Sequence, residues 1–403
     1  MSLGGERRLR AARLATFGYF ALNGFLMGMW VVHIPVVEQR TGISHAALGW
    51  LLLLLGGGAF TGMQVAGPLT DRLGPRTVVP SGAALCSAAL ILPGLATGAW
   101  TLGAALLVLG FGNGCLDVGM NAHAVQVERG CRRPVMSAFH ATFSVGGVLA
   151  ALLGAGALGW GWSPVAALGA TALVGLATAV LAAPALLAPE RAGTDEGPAA
   201  AAGTHRRTPR RIWMLAALAL ALMMSEGVAY DWSVLHLRDV LDAPASTAAL
   251  AYGAFATAMT VGRLLADRVV ARRGPVAVLR YGASTAAVAV TVVALSRSVP
   301  LALLGWTVFG AGLAGCVPQL FSAAGHADRA ATGANVSRVA GLGYLGMLAG
   351  PAVIGQLTRF APLNLTFFVP AACCLLAAGT AGILRARSTA SPSHPVTARD
   401  HDT

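Results

Sequence analysis

Asn113, Asp117 and Asn121 recur every fourth residue through an otherwise apolar stretch, and this spacing predicts one helical stripe of amide, carboxylate and amide. A carboxylate on such a stripe can take up and release a proton, and the amides can hydrogen-bond a solute. His140 follows in the next apolar stretch. A carboxyl beside an imidazole can trade a proton, so Asp117 with His140 reads either as a proton-coupling pair at similar depth or as a structural hydrogen bond between helices. Glu226 stands in the middle of a further apolar stretch and is followed by Tyr230, Asp231 and Trp232. An ionisable residue in hydrocarbon is costly, which makes Glu226 the first candidate for proton coupling or solute binding, with a structural ion pair as the alternative. Asp231, nearer the end of its stretch, is either a second coupling group or a gate contact. Asn23, Gln319 and Tyr344 are binding candidates or interhelical glue, and Trp30 and Trp232 offer aromatic faces to a solute or to the membrane interface. Pro35 should disturb the end of the first helix.

The elements that must position these residues are membrane helices. The 403 residues are 56% hydrophobic and 11% charged, with a mean hydropathy of +0.69, against roughly 25% charged residues in a soluble domain. Apolar stretches of spanning length run over 12–37, 46–69, 76–97, 99–124, 134–158, 163–188, 211–236, 246–270, 275–296, 299–323, 332–357 and 361–384. The expected fold is therefore an all-α membrane protein of twelve transmembrane helices. The first stretch is too long for a signal peptide and stays as a helix.

The formal charge of +12 comes from arginines alone, since no lysine occurs. They sit in short clusters between the spans, which assigns them to topology and excludes a nucleic-acid partner. With the N-terminus in the cytoplasm, only Arg40, Arg238, Arg297 and Arg359 fall outside, and Arg263 and Arg338 lie within helices. Both ends of the chain should then be cytoplasmic, in a cell membrane. Residues 189–210, rich in Pro, Gly, Ala and charge, read as a cytoplasmic linker between halves 1–188 and 211–385, and 386–403 reads as a disordered tail. The halves echo each other: Met63, Asp71 and Arg72 match Met259, Asp267 and Arg268 at an offset of 196. Parallel repeats of this kind pair two bundles about an axis along the membrane normal.

No metal-spaced His/Cys cluster and no nucleotide signature occurs, so neither cofactor nor metal nor catalytic residue is expected, and the chain should be no enzyme. The six cysteines read as small core residues. Gly56-Gly57-Gly58 reads as a packing surface.

The run Gly67-Pro68-Leu69-Thr70-Asp71-Arg72-Leu73-Gly74-Pro75-Arg76 resembles the loop motif between helices 2 and 3 of the major facilitator superfamily. Gly262, Arg263, Leu264, Leu265, Ala266, Asp267, Arg268 and Gly274 form its degenerate second copy. The resemblance implies two pseudo-symmetric six-helix bundles and a cytoplasmic latch. In that latch Gly67 and Gly74 permit close approach and a turn, Asp71 and Asp267 face helix N-termini, and Arg72, Arg76, Arg268 and Arg338 pair with carboxylates. Asn121 with Glu128, Met136 to His140, Phe143-Ser144, Glu226 with Asp231-Trp232, Gly343-Tyr344 and Gly350-Pro351 are similar to the branch near fucose permease. This implies secondary transport of a small polar, sugar-like solute by proton symport, in a monomer, with a site near the bilayer midplane. Proton-coupled efflux of an amphipathic compound, and a transport-inactive sensor on the same scaffold, remain as alternatives. Helix 5 lacks the Gly-Pro signature of drug antiporters, which lowers the efflux reading.

Reporter fusions test the topology directly: phosphatase fused within 189–210 or after 385 should be inactive and green fluorescent protein there should glow. Active phosphatase at either place overturns the assignment.

Overall fold

The computed structural model describes residues 3–43, 45–188 and 208–385. The expected tail, and the linker apart from Thr208, Pro209 and Arg210, lie outside the described residues. Among these residues every element is helical, as hydrocarbon requires of a chain whose backbone groups must be satisfied within each segment. The first half comprises α1 (Leu3–Thr41), α2 (His45–Leu73), α3 (Pro75–Leu95), α4 (Ala99–Cys131), α5 (Met136–Gly159) and α6 (Pro164–Ala182). The second comprises α7 (Arg210–Leu235), α8 (Ala245–Arg273), α9 (Pro275–Leu295), α10 (Val299–Leu313), α11 (Cys316–Ala327), α12 (Thr332–Leu357), α13 (Leu363–Thr366) and α14 (Phe368–Thr380). Helices α10 and α11 make one span broken at Ala314–Gly315, and α13 with α14 makes another, which brings the count to twelve.

Eleven of these spans are long and apolar enough to cross a membrane on composition alone. The twelfth, α8, is as long as α2 but carries Arg263, Asp267, Arg268, Arg272 and Arg273. Arg263 and Asp267 find protein partners there, which offsets their removal from water.

The two halves repeat one packing scheme. In the first, α1 lies on α5, α2 on α4, and α3 on α4 and α6; in the second, α7 lies on α12, α8 on α10, and α9 on α10 and α14. Each half has an apolar core, and the two reach across the interface: Met63, Ala66, Val78 and Val118 join the core of the second half and Val336 that of the first. The halves meet where α2 lies along α12 and α5 along α8. Turns at Gly74 and Gly274, both with φ of 79°, start α3 and α9 in the same way, a backbone conformation that glycine adopts without steric cost.

Helices α1 and α4 run beyond the sequence expectation, α1 starting at Leu3 rather than 12. Helix α1 continues through Pro35 to Thr41, so that proline does not end it. Helix α4 continues past 124 to Cys131, because Gln126 and Glu128 are buried against protein rather than exposed in a loop.

Small residues set the spacing of these pairs, as membrane helices need when lipid is as apolar as their own side chains. A Cβ at Gly114 would run into the backbone of Ala59 in α2, and one at Gly346 into Leu220 of α7. The glycine run behaves as packing surface: Gly58 faces Leu107 of α4 and Gly56 faces Leu348 of α12, while Gly57 meets nothing. Gly114→Val should therefore cost about 1–3 kcal/mol by overpacking, read as a lower melting temperature in detergent, while Gly57→Ala should match the parent.

Candidate functional site

Two sets of polar side chains join the halves. The first lies at the arginine-rich end, which also carries the first and last described residues. The Asp71 carboxylate of α2 accepts the backbone N–H groups of Gly333 (2.6 Å) and Ala334 (2.9 Å), in the first turn of α12. The Asp267 carboxylate of α8 accepts those of Ser137 (3.1 Å) and Ala138 (2.8 Å), in the first turn of α5. Each carboxylate sits at the positive end of a helix of the opposite half, where four N–H groups lack intrahelical partners. The displacement from Asp71 to Asp267 and from Ser137 to Gly333 is the same 196 residues, so carboxylate and capped helix terminus keep one spacing in both halves.

Around these caps, Gly67 packs against Ser337 and Gly333, and the Ser337 hydroxyl donates to Met63 O at 2.7 Å. Gln319 of α11 donates to Ser137 Oγ at 3.3 Å. Glu128, read from sequence only as part of the resemblance, completes the α5 terminus: its Oε1 accepts Val135 N–H (3.1 Å) and Met136 N–H (3.3 Å). Its Oε2 accepts the Ser322 hydroxyl and lies 3.9 Å from His326, both on α11. Arg129 donates to Gly325 O and to the Thr332 hydroxyl. These bonds between the halves all lie at this end of the bundle.

The arginines expected to join the latch do not pair with carboxylates here. Arg72, Arg76 and Arg268 are exposed with no hydrogen bond or ion pair to a described residue. Arg338 donates to Asn335 Oδ1 at 3.4 Å and lies within electrostatic reach of Asp71 without bonding to it. Asp71 and Asp267 face helix N-termini as the resemblance implies, without the arginine pairs.

The second set is central. Glu226 of α7 forms an ion pair with Arg263 of α8 (3.0 Å), with side chains only 9% and 13% exposed. The Tyr230 hydroxyl donates to the same Glu226 oxygen at 3.2 Å. Arg263 reaches across the halves to Ser144 Oγ of α5 at 3.4 Å. Tyr344 of α12 lies within electrostatic reach of both Glu226 and Asp117, which ties the pair to the α4 stripe. On that stripe Asn121 donates to Asp117 O (2.9 Å) and Oδ1 (3.4 Å). Asp117 Oδ2, Asn121 Oδ1 and Asn113 Oδ1 are buried with no protein partner.

Asp117 and His140 do not pair. Glu128 puts the start of α5 level with its own position on α4, so Asp117 lies eleven residues deeper and His140 only four, a gap of roughly 10 Å in depth by helical rise. The expected pairing measured Asp117 from 124, where the apolar stretch ends; the helix runs on to Cys131. His140 instead stacks on Phe321 of α11 (5.6 Å, 12°) and meets Phe20 of α1 edge-on (5.3 Å).

Four further candidates lie apart from this cluster. Asn23 and Trp30 are 0% and 1% exposed inside the first bundle. Trp232 donates its indole N–H to Pro351 O at 3.2 Å and holds α7 to α12. Asp231 is exposed with no partner. Arg263 is the residue that sequence reasoning left without a role. The usable signal was its position: a cation within a span needs a buried partner, and Glu226 was an acid in the preceding span.

Removing one member of a buried pair strands the other, whereas removing both does not. Glu226→Gln and Arg263→Gln should each lower detergent stability by about 3 kcal/mol, and the double variant should regain most of it. Additive losses in that cycle would show that the pair does not act as one unit.

Comparison with known proteins agrees with this architecture. The sequence model of the Major Facilitator Superfamily matches residues 15–333. An uncharacterized MFS-type transporter of Yersinia pestis is 35% identical over 90% of this chain and 93% of its own length. Membrane protein MosC of Rhizobium meliloti is 30% identical over 84% of this chain and 82% of its own. Among solved structures, the transporter FucP in its outward conformation superposes with a TM-score of 0.76 at 16% identity, covering 93% of this chain and 98% of that one. The proton:xylose symporter XylE follows with a TM-score of 0.72 at 13% identity, over 93% and 95%. With twelve spans in two repeated bundles latched by reciprocal helix caps, and with relatives named as transporters along nearly its full length, the chain belongs to the Major Facilitator Superfamily, a multi-pass membrane transporter and not an enzyme.

Proposed function

We propose that this transporter carries a small polar, sugar-like solute by proton symport, with Glu226 as the group that couples the two. The observation that carries the reading is the central chain Tyr230–Glu226–Arg263–Ser144, in which one carboxylate in the middle of the bundle holds an arginine that also bonds the opposite half. Protonating Glu226 weakens its hold on Arg263. Because Arg263 bonds both halves, the state of that one carboxyl bears on whether they can rock apart. The unpartnered oxygens of Asn113, Asp117 and Asn121, with the Tyr344 hydroxyl nearby, form a surface suited to solute hydroxyl groups. Among fold neighbours, one structure is described as an Escherichia coli fucose:proton symporter and another as a proton:xylose symporter.

In this reading both termini and the arginine-rich end are cytoplasmic, by the charge bias of the loops. The described state is then sealed toward the cytoplasm by Asp71 and Asp267, and segments 1–188 and 211–385 rock as units about the linker. Asp71 and Asp267 trade their helix caps for water when the gate opens, while Asp117 is a second protonation candidate beside Glu226.

The test is reconstitution into liposomes carrying an internal pH dye, with a panel of monosaccharides and polyols. A sugar-like solute should drive internal acidification. Glu226→Gln should abolish that signal while keeping solute counterflow, and Asp117→Asn should reduce it. Proton flux unchanged in both variants removes those roles, and flux driven only by amphipathic or carboxylated compounds overturns the solute class.

A further inference from the structure

A groove of about 610 Å³ opens on the wall of the second half, between α8, α9 and α10, away from the central cluster and the latch. Its floor is built of small residues, among them Gly262, Ala266, Gly282 and Ala311, and its flanks carry Leu265 and Val269, which are 47% and 46% exposed. At the arginine-rich end it is closed by Arg268, Arg272 and Arg273, all exposed and none bonded or paired to a described residue. From Gly262 to Arg273 the helical rise is about 16 Å, close to the ~15 Å hydrocarbon depth of one leaflet.

The first half has no such cation set. Helices α2 and α8 align at an offset of 200, since both are 29 residues long and end at Gly74 and Gly274. The positions of Arg268, Arg272 and Arg273 are there Pro68, Arg72 and Leu73. The asymmetry follows from the motif lying one turn earlier in α8, which leaves a final turn free to carry Arg272 and Arg273.

We propose that this groove is a binding site for an anionic phospholipid, with one acyl chain along the small-residue floor and the headgroup phosphate among the three arginines. Charge and shape select that occupant together: the groove runs about the depth of one leaflet, and its last turn and a half, from Arg268 to Arg273, offers three unpaired guanidinium groups to a phosphate. That this leaflet is the cytoplasmic one rests on the orientation given under Proposed function. The binding itself does not, because either leaflet presents the same chemistry in detergent.

The experiment is native mass spectrometry of the full-length protein in detergent, titrated in parallel with phosphatidylglycerol, phosphatidylcholine and inorganic phosphate. Wild type should retain one phosphatidylglycerol at energies that strip phosphatidylcholine. Arg272→Gln/Arg273→Gln should weaken that retention on the order of tenfold or more, given the contribution of each arginine near an anionic headgroup. Ala311→Phe, which fills the exposed floor, should weaken retention of both lipids. Arg132→Gln/Arg133→Gln, a pair at the arginine-rich end of the first half, should leave retention unchanged. Equal retention of both lipids by wild type, full retention by the groove variants, or an equal loss in the Arg132/Arg133 variant would each overturn the site. Retention of phosphate alone without lipid would overturn it as well, and a melting curve for each variant separates loss of binding from loss of fold. Because transport does not enter the readout, failure here leaves the symport reading standing, and failure of symport leaves this site standing.

Discussion

The arrangement rests on two carboxylates that each hold the N-terminus of a helix from the opposite half. A helix end in a low-dielectric setting exposes unsatisfied N–H groups whose desolvation is costly, and the same setting strengthens a charge-assisted bond to an anion. Asp71, capping α12, and Asp267, capping α5, satisfy both demands at once. The contact uses backbone groups that need partners, and in the proposed cycle water replaces the carboxylate once the halves separate. The exposed arginines of the motif leave the anchoring to the helix termini.

The latch and the central cluster share helices. Asp267 and Arg263 stand one turn apart on α8, and Ser137 and Ser144 lie on α5, so the pairing of α5 with α8 carries both the cap and the arginine bridge. Helix α7 supplies Glu226 and packs on α12, the helix whose first turn Asp71 holds. In the proposed cycle a change in charge at Glu226 would act on elements one or two helical turns from the caps, through two helix pairs rather than a long chain of side chains.

Glycine-rich seams keep these pairs close, and the repeat makes them close twice. Where α4 meets α2 and α12 meets α7, backbone lies against backbone, so each bundle is stiff along its own axis. Between the halves the polar caps and the arginine bridge are joined by apolar contacts such as Gly56 with Leu348 and Gly325 with Val125.

Composition, span lengths and arginine segregation determined from sequence alone that this is a twelve-span membrane protein, since the bilayer leaves few alternatives to a chain so apolar. The doubled motif pointed to Asp71 and Asp267, and the cost of a buried charge singled out Glu226. Depth and azimuth were beyond its reach. Apolar run lengths placed the end of α4 at 124, seven residues short, and so paired Asp117 with His140, which stands about 10 Å away in depth. Only the folded chain showed that Arg263 answers Glu226, that Trp30 turns into the first bundle and that Glu128 caps α5. The physical reason is common to all three: hydropathy reports whether a residue lies in the membrane, while its partner depends on how two helices are rotated about their axes, and that rotation is decided by packing between segments distant in the chain.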